Sequence, residues 1–100
     1  MLIDKIVSGP VVTNSGTVGT TSTIVIAVQT GRQFLQISNP SASALLAFSF
    51  DGTPAVINGA GCVTLNPGGS ASYTPDGFVP TNSVNLISSI SSCPYTIFTF

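Results

Sequence analysis

The chain has no histidine, no tryptophan and no glutamate, and its 100 residues carry only five charges. Nucleophilic catalysis of the common type needs a base beside a serine or cysteine, and histidine is the usual one. The carboxylate side chains are those of Asp4, Asp51 and Asp76. The last two precede glycine in turn pairs, where aspartate serves the local backbone. We therefore expect no catalytic residues and no enzymatic activity.

The scarcity of charge also bears on ligands. Lys5 and Arg32 are the only basic residues, too few to neutralise many phosphates, so a nucleic-acid partner is disfavoured. Hard cations need several oxygen ligands, and no acidic cluster supports Asp51 and Asp76 as a calcium site. Cys62 and Cys93 lack the spacing and the companion residues of a zinc site. We expect no metal and no cofactor.

Hydrophobic residues make up 43% of the chain and charged residues 5%, where soluble domains carry about 25% charged residues. The mean hydropathy of +0.54 raises the possibility of a membrane protein. However, apolar runs such as Ile24–Val28 are far shorter than the roughly 20 residues that span a bilayer as a helix. We therefore expect no membrane partner.

The first residues place Asp4 and Lys5 inside an apolar patch, unlike the separate basic and apolar zones of a signal peptide. We expect a protein made in the cytosol, with Cys62 and Cys93 as reduced thiols by default and a disulfide between them as the alternative. A nearly uncharged protein outside the membrane is expected to cover part of its apolar surface with partner chains. The alternative is a monomer made soluble by serine and threonine.

From residue 22 onward, short β-rich runs alternate with turn residues, and no stretch has convincing helical spacing. We predict an all-β fold, an antiparallel β-sandwich or jelly roll of about seven or eight short strands. The predicted strands are Thr23–Val28, Arg32–Ser38, Ala44–Phe50, Cys62–Leu65, Ala71–Tyr73, Val84–Ser89 and Tyr95–Phe100.

Residues 1–21 are rich in Gly, Thr, Ser and Val and have no sustained periodicity. Gly9, Pro10, Gly16 and Gly19 argue against a helix. We predict two parts, an extended N-terminal arm over 1–21 and a β-sandwich domain over 22–100. Such an arm could reach a neighbouring subunit and add contact area on binding. The predicted partner-binding residues are Leu2, Ile3, Ile6, Val7, Val11 and Val12.

The stretch Gln36–Val56 suggests a hairpin with NPSAS at its tip. If Gln36 lies opposite Ala47, strand alternation places Leu35, Ile37, Leu46, Phe48 and Phe50 on one apolar face. The same register places Arg32 opposite Asp51. We therefore predict that Arg32 and Asp51 form a structural clasp at the open end of this hairpin.

The stretches RQFLQISNPSASALLAFSFDGTPAV, LNPGGSASYTPDGFVPTNSVNLISS and PYTIFTF resemble a group of small virion proteins of tailed bacteriophages. The shared features are the order R-x-x-L-x-I-x-N-x-S, an aromatic strand ending in D-G-x-x-A, and an L-x-P-G-G-S turn. The resemblance covers about residues 32–100 and implies a non-enzymatic β-sandwich that decorates or cements the capsid. Cys62, Cys93 and the scarcity of surface charge depart from the usual look of the group.

The function that follows is a structural virion protein, assembled in the host bacterial cytoplasm. It would bind the major capsid protein or other virion proteins and form a homo-oligomer, a trimer or higher. Two alternatives stay open. One is a head–tail or fibre component, and the other is a β-sandwich module that binds a glycan or a host surface.

Overall fold

The computed structural model describes residues 11–100, and every regular element in that range is a β-strand. The eight strands are β1 (Val12–Val18), β2 (Thr23–Ile26), β3 (Leu35–Ser38), β4 (Leu46–Ser49), β5 (Val63–Leu65), β6 (Ser70–Tyr73), β7 (Val84–Ser88) and β8 (Cys93–Thr99).

The strands form two four-stranded antiparallel sheets, with the order β1-β8-β3-β6 in sheet A and β2-β7-β4-β5 in sheet B. Apart from β4 and β5, strands that follow one another in sequence lie in opposite sheets. This is the strand order of a jelly roll, one of the architectures that protects β-sheets by packing two of them face to face. The predicted fold class is confirmed, and each predicted strand overlaps an observed one, with bounds that differ by up to three residues.

One prediction about organisation is wrong. Residues 12–18, assigned from the sequence to the arm, form the seven-residue strand β1 and pair with β8 from Val12↔Thr99 to Val18↔Cys93. Val18 is buried in the core. The sequence of β1 does not show the apolar alternation of a half-buried strand, because β1 lies at the edge of its sheet and exposes most of its small polar side chains. The sandwich therefore begins at least ten residues earlier than predicted.

The predicted hairpin of Gln36–Val56 is also wrong in its pairing. β3 pairs with β6 and β8 in sheet A, whereas β4 pairs with β5 and β7 in sheet B. The NPSAS segment therefore carries the chain from one sheet to the other. The predicted apolar set still meets, because Leu35 and Ile37 from one sheet face Leu46 and Phe48 from the other inside a single core, against which Phe50 packs.

The core lies between the two sheets, and alternation along each strand decides which side chains enter it. Strand β8 is the clearest case, with Cys93, Tyr95 and Ile97 buried and Pro94 exposed. Sheet B is also covered on its outer face. Leu46 and Phe48 of β4 point inward, so Ala47 and Ser49 point outward, and yet both are buried. The segment after β4 provides this cover, as Thr53 accepts hydrogen bonds from Ser49 and Asn85.

A buried asparagine, Asn39, connects two turns at the end of the sandwich where β3 leads into β4. The Asn39 side-chain amide donates to the carbonyl oxygens of Ala44, Leu65 and Asn66, at 2.8, 3.3 and 3.1 Å. Its backbone N–H donates to Gly69, and its carbonyl accepts from Gly68. The NPSAS and NPGG segments are thus tied together through one side chain, which connects the β3–β4 crossing to the β5–β6 turn.

Candidate interaction surface

The register places most of the aromatic and charged residues at one end of the sandwich. At the start of β3, one row of paired residues crosses sheet A, and it consists of Val12, Thr99, Leu35 and Tyr73. Because the chain crosses to sheet B after β3, the C-terminal end of β4 lies at this same end. We call it the aromatic end, defined by Phe34, Phe50, Tyr73, Phe78 and Phe100. The opposite end carries the serine-rich turns.

The rings at the aromatic end contact one another. Phe34 stacks on Phe100 with ring centroids 5.4 Å apart, and Phe50 meets Tyr73 edge-on, also at 5.4 Å. Tyr73 in turn meets Phe78 edge-on at 6.4 Å. Burial raises the pKa of the Tyr73 hydroxyl above its usual value. Phe78 stands at the margin of this cluster with 65% of its surface exposed, so its apolar ring faces solvent.

Phe78 is absent from the partner-binding residues predicted from the sequence. The sequence feature that could have indicated an exposed phenylalanine is the stretch PDGFVP, in which a large apolar residue follows a turn pair and belongs to no predicted strand.

Phe78 is one of several large apolar side chains exposed on the described residues, and several of these lie at or near the aromatic end. They are Val11, Val12, Ile24, Val28, Val56, Val63, Phe78 and Ile90, each between 41% and 67% exposed. Single exposed apolar residues are ordinary on proteins. On a chain with so few charges they lie among neutral Ser and Thr side chains, so much of the described surface is uncharged.

Arg32 is buried, with 4% of its surface exposed, and its guanidinium binds backbone carbonyl groups. Nη1 donates to the carbonyl oxygens of Pro80 and Asn82, at 2.8 and 3.0 Å, and Nη2 donates to that of Ala27 at 3.0 Å. Desolvation lowers the pKa of the guanidinium from its ordinary value. Arg32 thus joins the end of β2 to the connection between β6 and β7.

The predicted clasp between Arg32 and Asp51 is wrong. The Asp51 carboxylate accepts hydrogen bonds from the hydroxyl and the backbone N–H of Thr53, and these bonds lower its pKa. The residue is exposed and closes its own turn, next to Gly52 at a φ of +84°. The clasp depended on pairing β3 with β4, which lie in different sheets.

A cleft of about 390 Å³ opens between the edge strands β1 and β2. The side-chain amide of Asn14 bridges the two strands by donating to the carbonyl oxygen of Val25 at 3.1 Å. The cleft is lined by Val12, Asn14, residues 25–29, Arg32 and Thr99. Its lining is mainly apolar with one cationic side chain, Arg32.

The predicted arm residues divide into two groups. Leu2, Ile3, Ile6 and Val7 lie outside the described residues. Val11 and Val12 are both 56% exposed, and Val12 begins β1. The structure therefore brings one of the predicted partner-binding residues, Val12, to the cleft.

Residues 11–100 contain no group of three or more His, Cys, Asp or Glu side chains that could hold a metal ion. Neither cysteine forms a disulfide; Cys62 is half-buried, and Cys93 is buried beside Asn39, with the pKa of its thiol raised by burial. No helix among the described residues is long and apolar enough to cross a membrane.

Comparison with known proteins identifies no family. No protein-family model matches the chain, and no curated protein matches it. Among solved structures, the chain is similar to a protein of the Bacillus endospore appendages, described as a novel family of disulfide-linked pili. The two share 13% sequence identity at a TM-score of 0.48, over 90% of this chain and 82% of the other.

Proposed function

We propose that the protein is a non-enzymatic structural subunit that assembles with copies of itself and with other proteins. The observation that carries this proposal is the exposure of large apolar side chains on a chain with 5% charged residues. Such a surface is covered at little cost, since few charges have to be desolvated when it meets another protein.

The more specific proposal is a tailed-bacteriophage virion protein that decorates or cements the capsid, with the major capsid protein or other virion proteins as partners. The resemblance of residues 32–100 to that group supports it, and so does the jelly roll, an architecture that occurs in viral capsid proteins. Residues 1–10 and the start of β1 would supply the contacts with the shell. Several weak contacts around one symmetry axis would then combine through avidity. A head–tail or fibre position uses the same surfaces.

The test uses purified full-length protein and capsids of the candidate phage prepared without it. Cosedimentation followed by electron microscopy is expected to show saturable binding at a fixed set of sites on the shell. Val12→Asp at the edge of sheet A is expected to weaken binding, whereas Thr20→Asp, at an exposed residue outside the strands, serves as the matched control. Capsids that take up no protein would contradict a decoration role.

The exposed ring of Phe78 beside Tyr73 favours a second candidate, a module that binds a glycan or a host surface. Aromatic faces provide apolar stacking area for sugar rings, and Asp76 could supply a polar rim two residues away. A glycan array tests this candidate directly. A hit that is lost in Phe78→Ala and kept in Val63→Ala would favour glycan binding over a purely structural role.

A further inference from the structure

The cleft between β1 and β2 has the features of a site for a chain segment. Both strands are sheet edges, and within residues 11–100 no strand pairs with the outer side of either, although the Val25 carbonyl already accepts a hydrogen bond from the Asn14 side chain. Val12, Val25 and Val28 give the cleft apolar walls, and Thr99 and Asn14 add polar groups. An extended segment with β-branched side chains has the shape and the chemistry that fit such a cleft.

Arg32 gives this cleft a charge preference. Among residues 11–100, its three hydrogen-bond acceptors are neutral carbonyl groups, and its buried Nε–H has no partner there. A buried cation matched only by dipoles is stabilised further by a carboxylate brought close to it. The ligand that suits the cleft is therefore an apolar segment with one acidic side chain.

The chain contains one segment of this composition. Asp51 is engaged by Thr53, and Asp76 stands in a turn at the exposed margin of the aromatic end. Asp4 lies outside the described residues, in the stretch MLIDKIVSGP, with Leu2 and Ile3 before it and Ile6 and Val7 shortly after. This stretch joins the fold at Val11, next to the cleft residue Val12.

We infer that the β1–β2 cleft of one copy binds residues 1–10 of a second copy, with Asp4 of that copy facing Arg32. A second copy is favoured over the same chain by register. A tight turn through residues 8–11 would pair Val7 with Val12 and set Asp4 opposite Ser15. Ser15 lies three residues, or about 10 Å, along β1 from the row of paired residues that contains Val12. Arg32 precedes β3 and lies on the other side of that row, so Asp4 of the same chain would be far from it. This inference rests on the proposed self-assembly and specifies its acceptor site.

The experiment mixes two full-length preparations. One is ¹⁵N-labelled, and the other is unlabelled and carries a photo-crosslinking phenylalanine analogue in place of Ile3. After irradiation, mass spectrometry is expected to find crosslinks from unlabelled residue 3 to ¹⁵N-labelled peptides containing residues 25–29. Asp4→Asn in the unlabelled chain is expected to lower their yield about tenfold, because the variant loses its electrostatic attraction to the Arg32 cation. Lys5→Gln, which removes the neighbouring charge, is the matched control and is expected to leave the yield unchanged.

A second pair of variants tests the acceptor side without disturbing Arg32. Val28→Glu introduces a negative charge at the exposed edge of the cleft and is expected to suppress the crosslink. Val63→Glu places the same charge on β5, at the other edge of sheet B, and is expected to have no effect. Unfolding curves of both variants show whether the fold is intact.

Crosslinks confined to chains of one isotope, crosslinks to other peptides, or full yield with Asp4→Asn would each overturn the inference. In those cases the proposed assembly still stands if the labelled and unlabelled chains sediment together. Chains that remain monomeric at the highest concentration would overturn both the inference and the proposed function.

Discussion

Nη1 of Arg32 lies 2.8 Å from the carbonyl oxygen of Pro80, a residue 48 positions later in the chain. The same guanidinium binds Asn82 and Ala27, so one side chain holds the end of β2 against the segment that leads into β7. A planar group with five donors suits this task, because it can reach carbonyl groups in several directions from one position.

Replacing Arg32 with lysine is expected to destabilise the fold by about 1–3 kcal/mol, because one ammonium group cannot serve all three carbonyl oxygens that the guanidinium binds. Urea unfolding measures the loss. Asp51→Asn, at an exposed residue, is expected to change the free energy of unfolding by less than about 0.5 kcal/mol.

The double variant then separates this account from the clasp that the sequence suggested. Without a direct interaction, the effects of Arg32→Lys and Asp51→Asn should add to within about 0.5 kcal/mol. A coupling energy above about 1 kcal/mol would show that the two side chains interact after all.

Asn39→Ala is expected to destabilise the protein by about 2–4 kcal/mol, because it leaves carbonyl groups of Ala44 and Leu65 buried without their donor. Thermal or urea unfolding provides the measurement. Asn66→Ala removes an exposed side chain in the neighbouring turn and should cost less than about 0.5 kcal/mol. Equal losses in the two variants would mean that the Asn39 network contributes no more than an ordinary surface residue.

Two glycines in exposed turns offer a matched test of backbone conformation. Gly68 has a φ of +77°, so Gly68→Ala is expected to cost about 1–2 kcal/mol although no atom lies within 4 Å of the added Cβ. Gly77 has equally open surroundings and no positive φ. Gly77→Ala is therefore expected to be neutral or to stabilise by up to about 1 kcal/mol, and the opposite order would be inconsistent with the described turns.

The burial of Tyr73 predicts a loss of stability in alkali. Its folded-state pKa is raised, so the unfolded chain loses the proton first as the pH rises. The stabilising contribution is complete below the unfolded pKa of about 10 and decreases above it. Tyr73→Phe should show a smaller decrease in unfolding free energy between about pH 8 and pH 11 than the natural chain. Identical pH dependence in the two proteins would contradict the partial burial of Tyr73 as a source of stability.

The sequence predicted individual strands better than their pairing. Alternation in segments such as Leu35–Ser38 and Leu46–Ser49 indicates which side chains face a core, and all the strands found this way exist. Alternation does not identify the strand that pairs with a given strand. The same apolar residues meet whether two strands pair within one sheet or face each other from two packed sheets. The assumption that neighbours in sequence form a hairpin led directly to the wrong partner for Arg32.

The edge of the fold was harder still to predict. β1 has few apolar residues because only Val18 enters the core, so its composition resembles that of a loop. The cleft beside it brings β1 and residues 25–32 together with Thr99, which is distant from both in sequence, and no local pattern reports such a juxtaposition. The low charge and the apolar composition, by contrast, pointed to the exposed surface from the start.

The central claim, that this protein associates through its apolar surface, is tested most directly by sedimentation velocity over a wide concentration range. The account predicts that the average sedimentation coefficient rises with concentration and that Val12→Asp or Phe78→Ser lowers it toward the monomer value. A single monomeric species of the 10.1 kDa chain at every concentration, unchanged by these substitutions, would contradict it.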